Sequence, residues 1–220
     1  MGSFDFSVLV KNMPFFLQGL MTTFQLAVVA ISGGLVLGTL VGMARLSTLK
    51  AIYWPATLFV NFMRSLPLLL VIFWFYFLVP IIAGRPLGDF FSACVAFVVF
   101  EASYFAEIVR AGIQSISKGQ MQAAYSTGFT YGQTMRFIIL PQALRNMIPS
   151  LITQTVVIFQ DTSLAYVIGL KEFLRTASIV DAREMKSLEI YAFIGAVYFV
   201  FCFLMSRYSK KLEQKRGFAK

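Results

Sequence analysis

Between Lys11 and Arg45 the chain carries no charged residue. A helix needs about 20 apolar residues to cross the roughly 30 Å hydrocarbon core of a bilayer. The run is longer than one crossing requires, so Met13 to Leu20 is expected along the outer interface and the first span over about 19–44. Four further stretches qualify. One is the uncharged run from Ser65 to Gly84, between Arg64 and Arg85, within a span over about 58–84. The others cover about 90–108, which contains Glu101, about 147–170, which contains Asp161, and about 189–207. Only 13% of the residues are charged and 58% are hydrophobic. That is too little charge to cover a water-facing surface. The expected fold is all-α and polytopic, with about five transmembrane helices in one domain over 1–220. Asp5 and the lack of a basic cluster before the first run argue against a cleaved secretory signal.

The chain has no His, and Cys94 and Cys202 both sit inside apolar runs. Neither a disulfide nor a metal site is expected. The net charge of +9 would suggest nucleic acid on a soluble protein. Here it reads as Lys and Arg concentrated on the cytoplasmic side of a membrane, with lipid as neighbour and no nucleic-acid partner.

Five spans place the two ends on opposite sides. With the N-terminus outside, the inside segments hold Arg45, Lys50, Arg64, Arg110, Lys118, Arg136, Arg145, Arg207, Lys210, Lys211, Lys215, Arg216 and Lys220, most of the 19 Lys and Arg residues. The outside segments hold Lys11, Arg85, Lys171, Arg175, Arg183 and Lys186. The bias favours N-outside, C-inside.

The inside segment at 110–146 is longer than the other loops. Gly119 and Gly128 bracket a short helix, which Gly128 can end in the left-handed conformation. A second short helix is expected from about Tyr131 to Leu140, stopped by Pro141. With Ala123 and Ala124 adjacent, such a pair forms either a compact knob that another surface approaches closely or an amphipathic hairpin lying on lipid headgroups. In the first span, Ala30, Gly34, Gly38 and Gly42 recur every four residues on one helical face. This seam suits close packing within the subunit or between subunits.

Gln122-Ala123-Ala124, Gly128, Ile138, Leu140 and Pro141 fall at the spacing E-A-A-x3-G-x9-I-x-L-P. This resembles the EAA loop of the membrane subunits of bacterial ABC importers. Glu107-Ile108-Val109-Arg110-Ala111-Gly112-Ile113, Gly119-Gln120, Phe62-Met63-Arg64-Ser65-Leu66-Pro67-Leu68 and Asp161-Thr162-Ser163-Leu164 resemble the polar amino-acid branch. Phe100-Glu101-Ala102-Ser103-Tyr104 and Phe173-Leu174-Arg175-Thr176-Ala177 are most similar to glutamate/aspartate permeases. One position departs: Gln122 stands where the family has Glu, which keeps the shape and loses the charge.

The resemblance implies a cytoplasmic ATP-binding subunit dimer docked on Gly119 to Gly128, a second permease subunit, identical or similar, and a substrate-binding protein meeting the outer loop from Lys171 to Glu189. No G-x4-G-K-[ST] loop is present. ATP and Mg therefore belong to the partner, this chain binds no cofactor, and it is a transport subunit rather than an enzyme.

Arg64, Glu101 and Asp161 are costly in lipid and should face protein or water. Arg64 either snorkels to the inner interface or lines the pathway. Glu107 is expected to pair with Arg110 three residues on. Glu101 and the cluster Gln160, Asp161, Thr162 and Ser163 are the pathway candidates, against a buried structural role. A rival reading is an ion-gradient-driven secondary transporter or small channel, with Glu101 and Asp161 carrying protons. The absence of an inverted repeat speaks against it. A reporter enzyme fused after Lys220 is expected to be active only in the cytoplasm; activity outside would reverse the orientation.

Overall fold

The computed structural model describes residues 5–215, with side chains as far as Lys211. Helix α1 spans Ser7–Ala44 and α2 Lys50–Arg64. Next, α3 (Leu68–Phe73) passes through a π turn, Trp74–Leu78, into α4 (Val79–Ala83). Helix α5 covers Asp89–Gln114 and α6 covers Lys118–Ser126. Then α7 (Tyr131–Thr134) runs through a second π turn, Met135–Ile139, into α8 (Leu140–Asp161) and a 3-10 segment, Thr162–Ile168. Helices α9 (Phe173–Glu184) and α10 (Ser187–Lys215) complete the bundle. Among the described residues four stretches are long and apolar enough to cross a membrane, and α2 with α3–α4, apolar enough together but bent by 105°, forms either a broken fifth span or a re-entrant loop.

Three helix boundaries differ from the sequence reading. The segment Met13 to Leu20 is not a separate piece. It continues α1, with Pro14 inside the helix. Packing holds it there: Val8, Leu9 and Phe16 share a buried cluster with Phe173, Ala177, Val180, Ile190 and Ile194. Polar ties add to this. Arg183 donates to the buried Asn12, and Lys11 lies 3.6 Å from Glu184. At 38 residues α1 is about 57 Å long at 1.5 Å per residue, well beyond one bilayer core.

The span at 58–84 is broken. Residues 50–64 form their own helix, and Ser65 to Pro67 turn the chain before α3. Pro67 stands at the N-cap of α3 with ψ of 138°, extended rather than helical.

Pro141 does not stop a helix. The chain stays helical from Tyr131 through Ile168. A proline inside a helix lacks the N–H for the i→i−4 bond, and its ring collides with the carbonyl four residues back. A π turn widens the ladder locally and removes that conflict. The arrangement occurs twice at one spacing, Trp74–Leu78 before Pro80 and Met135–Ile139 before Pro141.

Helix α5 forms the centre. Of its most apolar stretch 61% is buried, against 17% for α10. The small-residue seam of α1 lies on it, within the subunit. A Cβ on Gly38 would stand 2.5 Å from the Phe105 Cβ and 2.8 Å from the Ala102 carbonyl oxygen, and one on Gly42 would stand 2.8 Å from the Ala106 carbonyl oxygen. Gly34 meets Glu101 and Phe105, and Ala30 is fully buried. Between helices in lipid, such close backbone approach supplies the van der Waals contact that the hydrophobic effect does not. Cys94 and Cys202 are both free and buried.

Beside the N-terminal half of α1, near Gly19 and Thr23, the fully buried Glu172 caps α9. Its carboxylate accepts from the backbone N–H of Leu174 at 2.8 Å and of Arg175 at 2.6 Å. Thr23 Oγ1 accepts from the Phe173 N–H at 3.1 Å, which fastens α1 to the same turn. Burial pushes the Glu172 carboxyl up to about 7 from its ordinary 4.5, even though the two backbone N–H groups, the Arg175 charge and Tyr198 favour the anion.

Two outcomes follow from this packing. Gly38→Ala should destabilise the detergent-solubilised protein by about 1–3 kcal/mol, because the added methyl meets fixed backbone. Gly195→Ala, where nothing lies within 4 Å of the added Cβ, should leave the melting temperature level or higher. Between 4.5 and about 7 the folded protein keeps a proton on Glu172 that the unfolded chain releases. Stability should therefore fall as pH rises through that window and level off above it. Glu172→Gln should flatten this slope in melting-temperature measurements; an unchanged slope would remove Glu172 as its source.

Candidate functional site

Helix α6 ends in the way its glycine dictates. Gly128 has φ of +86°, a left-handed backbone. The Gly128 N–H donates to the Tyr125 carbonyl at 3.0 Å and the Phe129 N–H to the Ala124 carbonyl at 3.1 Å. This paired closure satisfies carbonyls that the helix end leaves open. The chain restarts at Thr130, whose hydroxyl accepts from the Gln133 N–H while the Gln133 side chain accepts from the Thr130 N–H. That capping box was readable as Thr-x-x-Gln.

The knob is therefore rigid at its exit. Gly119, Gln120, Gln122 and Ala123 are exposed, whereas Ala124 is 3% exposed and points into the protein. Ile138 and Leu140 are half-buried and Pro141 is exposed. Beneath the knob a cavity of about 540 Å³ runs between the end of α5 at Ile113 and Ile116, the face of α6 at Met121, Gln122 and Tyr125, and Ile139 of the π turn. Tyr125, Phe129 and Tyr131 are also exposed around the knob. The sequence reading missed these rings. Large aromatics in a chain with 24 Phe do not stand out until their exposure is known.

Near the same end of α5, Glu107 gathers three arginines. Arg110 donates to both of its carboxylate oxygens, Arg45 from the end of α1 donates to Oε2, and Arg64 from the end of α2 lies 3.9 Å from Oε2. The Arg64 guanidinium also sits 5.4 Å from the centre of the Tyr104 ring. The Glu107–Arg110 pair follows from i,i+3 spacing. The other two arginines come from distant segments and carried no sequence signal. Arg64 belongs to this ion-pair group, joining the ends of α1 and α2 to α5.

Glu101, six residues earlier, faces another neighbour. It is fully buried, and Gln154 Nε2 of α8 donates to its Oε2 at 2.8 Å. Its Oε1 is buried with no hydrogen-bond partner among the described residues. A buried carboxylate oxygen without a partner is costly and marks a place where a positive or hydrogen-bonding group is wanted.

The Gln160–Ser163 cluster sits where α8 tightens into the 3-10 segment. Thr162 is fully buried and its hydroxyl donates to the Phe159 carbonyl at 2.6 Å. Asp161 is half-buried, with no ion pair among the described residues. Gln160 and Ser163 line a cavity of about 340 Å³ against Leu174, Tyr191 and Tyr198. A change from α to 3-10 within a span rearranges backbone hydrogen bonds, and nearby hydroxyls re-satisfy them. The seam Ala30, Gly34, Gly38 and Gly42 is taken up by α5.

Residues 34–217 match the family described as the binding-protein-dependent transport system inner membrane component. The chain is 46% identical over 207 residues to the glutamate/aspartate import permease protein GltK of Escherichia coli O157:H7, covering 91% of this chain and 92% of that protein. It is 37% identical over 209 residues to the probable glutamine ABC transporter permease protein GlnM of Bacillus subtilis strain 168, covering 95% and 96%. Among solved structures, an amino acid ABC transporter with histidines superposes with a TM-score of 0.90 at 31% identity, over 97% of this chain and 100% of that one. The MetNI methionine ABC transporter, at 19% identity and a TM-score of 0.73, shows the fold alone. The chain belongs to the inner membrane components of binding-protein-dependent transport systems, the permease subunits of ABC importers, which are non-enzymatic and work with a separate ATP-binding subunit and a substrate-binding protein.

Proposed function

We propose that this subunit conducts acidic amino acids, glutamate and aspartate, delivered by a soluble binding protein and driven by ATP hydrolysis on a partner. The identity of 46% to GltK across 91% of the chain carries this reading. A dimer of the cytoplasmic ATP-binding subunit, which holds ATP and Mg, docks on Gly119, Gln120, Gln122, Ala123 and the turn at Gly128. Ile138, Leu140 and Pro141 pass the push into α8, since the chain stays helical from Tyr131 through Ile168. A second permease subunit completes the pathway, and the N-terminus lies outside with the C-terminus in the cytoplasm. In this reading Gln122 forms a neutral hydrogen-bonded contact where a Glu would form an ionic one.

Within the pathway, Glu101 takes the substrate's ammonium group. Its unpartnered Oε1 supports that role. An ammonium is common to all amino acids, so Glu101 selects for the class and leaves the choice of side chain to the binding protein. Asp161, Gln160 and Ser163 line the next stretch, and the buried Thr162 hydroxyl holds the backbone beside them. Arg64, held near Glu107 and Tyr104, steadies the inner end of the pathway.

The test is reconstitution of the permease, the ATP-binding subunit and the binding protein in vesicles. Glutamate entry should follow ATP on the ATPase side and ignore a proton gradient. Gly128→Trp should retain most ATP hydrolysis and lose uptake by tenfold or more. Uptake by the permease alone, or driven by protons, would replace this mechanism with a secondary transporter. A binding protein that prefers glutamine or arginine would move the substrate class.

A further inference from the structure

We propose that the C-terminal end of α10 holds the headgroup of an anionic phospholipid. This rests on α10 crossing the bilayer and is independent of the substrate and of the orientation. Only 17% of the most apolar stretch of α10 is buried, and Phe199, Val200, Phe203 and Leu204 all lie open on it. That is a surface for acyl chains. It leads directly into an open hollow of about 580 Å³ beside Phe203, Ser206, Arg207, Lys210 and Lys211, all exposed residues of α10.

The lining combines three cations, a hydroxyl and a ring, and none of these five residues is acidic. Residues 203, 207, 210 and 211 share one helical face at i, i+4, i+7 and i+8 spacing. The Arg207 guanidinium lies 5.9 Å from the centre of the Phe203 ring, which stacks on Phe199 at 5.6 Å. The guanidinium is thereby fixed at the border between the apolar stripe and the basic end. Some of the other cations are committed to carboxylates: Arg45, Arg64 and Arg110 to Glu107, Lys11 and Arg183 to Glu184, and Lys186 to Asp5. Arg207, Lys210 and Lys211 have no such ion pair among the described residues.

A phosphodiester fits this arrangement. The planar guanidinium grips two phosphate oxygens, and the lysines add point charges. Ser206 is placed for a glycerol hydroxyl, and acyl chains continue along Phe199 and Phe203. A soluble anion would make no use of the stripe. Clusters of basic residues beside a membrane helix attract anionic lipid through the same charge complementarity.

The experiment is native mass spectrometry of the full chain released from nanodiscs of equal parts phosphatidylglycerol and phosphatidylcholine. The wild type should retain phosphatidylglycerol in preference. The combined variant Arg207→Gln, Lys210→Gln, Lys211→Gln should lose that preference by about tenfold or more, with its helix content unchanged because Gln is a good helix former. Lys11→Gln, Arg85→Gln, Lys171→Gln, an equal loss of charge elsewhere, should keep it. Unchanged phosphatidylglycerol retention in the first variant would overturn the proposal. So would displacement of the lipid by inorganic phosphate at matching concentration, which would indicate a soluble-anion site. A first variant that keeps the lipid preference but loses its ATP-binding subunit would assign this face to the protein partner instead.

Discussion

The fold turns on the approach of α1 to α5. Gly34, Gly38 and Gly42 let the α1 backbone meet Phe105, the Ala102 carbonyl and the Ala106 carbonyl without an intervening side chain. In lipid, apolar side chains gain little by leaving hydrocarbon for protein, so close van der Waals contact has to hold helices together. With α1 seated, α5 becomes the buried strut of the subunit. Its other faces are then free to receive α8 through Glu101 and Gln154, and the ends of α1 and α2 through Glu107.

This arrangement explains how one helix serves two polar roles. Glu101 and Glu107 are six residues apart, so they leave α5 in different directions. One meets a neutral amide and keeps an oxygen without a partner. The other is saturated by arginines from three helices. A carboxylate surrounded by fixed guanidinium groups suits a structural anchor. A carboxylate with unspent hydrogen-bonding capacity has room for one more donor, as the proposed ammonium contact requires. The Glu107 anchor lies at the end of α5 that leads into α6, so the α6 knob follows the most buried helix of the subunit.

Continuity from the knob into the membrane depends on backbone chemistry. At Pro141 the widened turn lets α7 run into α8 without an end, and the same helical path reaches the 3-10 segment at Thr162. From Tyr131, just after the knob, one nearly unbroken helical rod runs to the 3-10 segment. Had Pro141 ended a helix, α7 and α8 would be separate pieces.

Much was legible in the sequence because it is local. Uncharged runs marked the long apolar helices, glycines four apart set one small-residue face, Gly128 set a left-handed exit, and Glu107 with Arg110 set a neighbouring pair. Each depends on residues within one continuous stretch of the chain. The meeting of Arg45 with Glu107, 62 positions apart, and of Gln154 with Glu101, 53 apart, could not be read that way. Nor could the passage of the helix through Pro141, where packing and an enlarged turn overrode a strong local stop. Periodicity states which residues share a face. Which faces then touch is decided when all the helices compete at once for the same close-packed neighbours, and only the assembled tertiary structure contains that outcome.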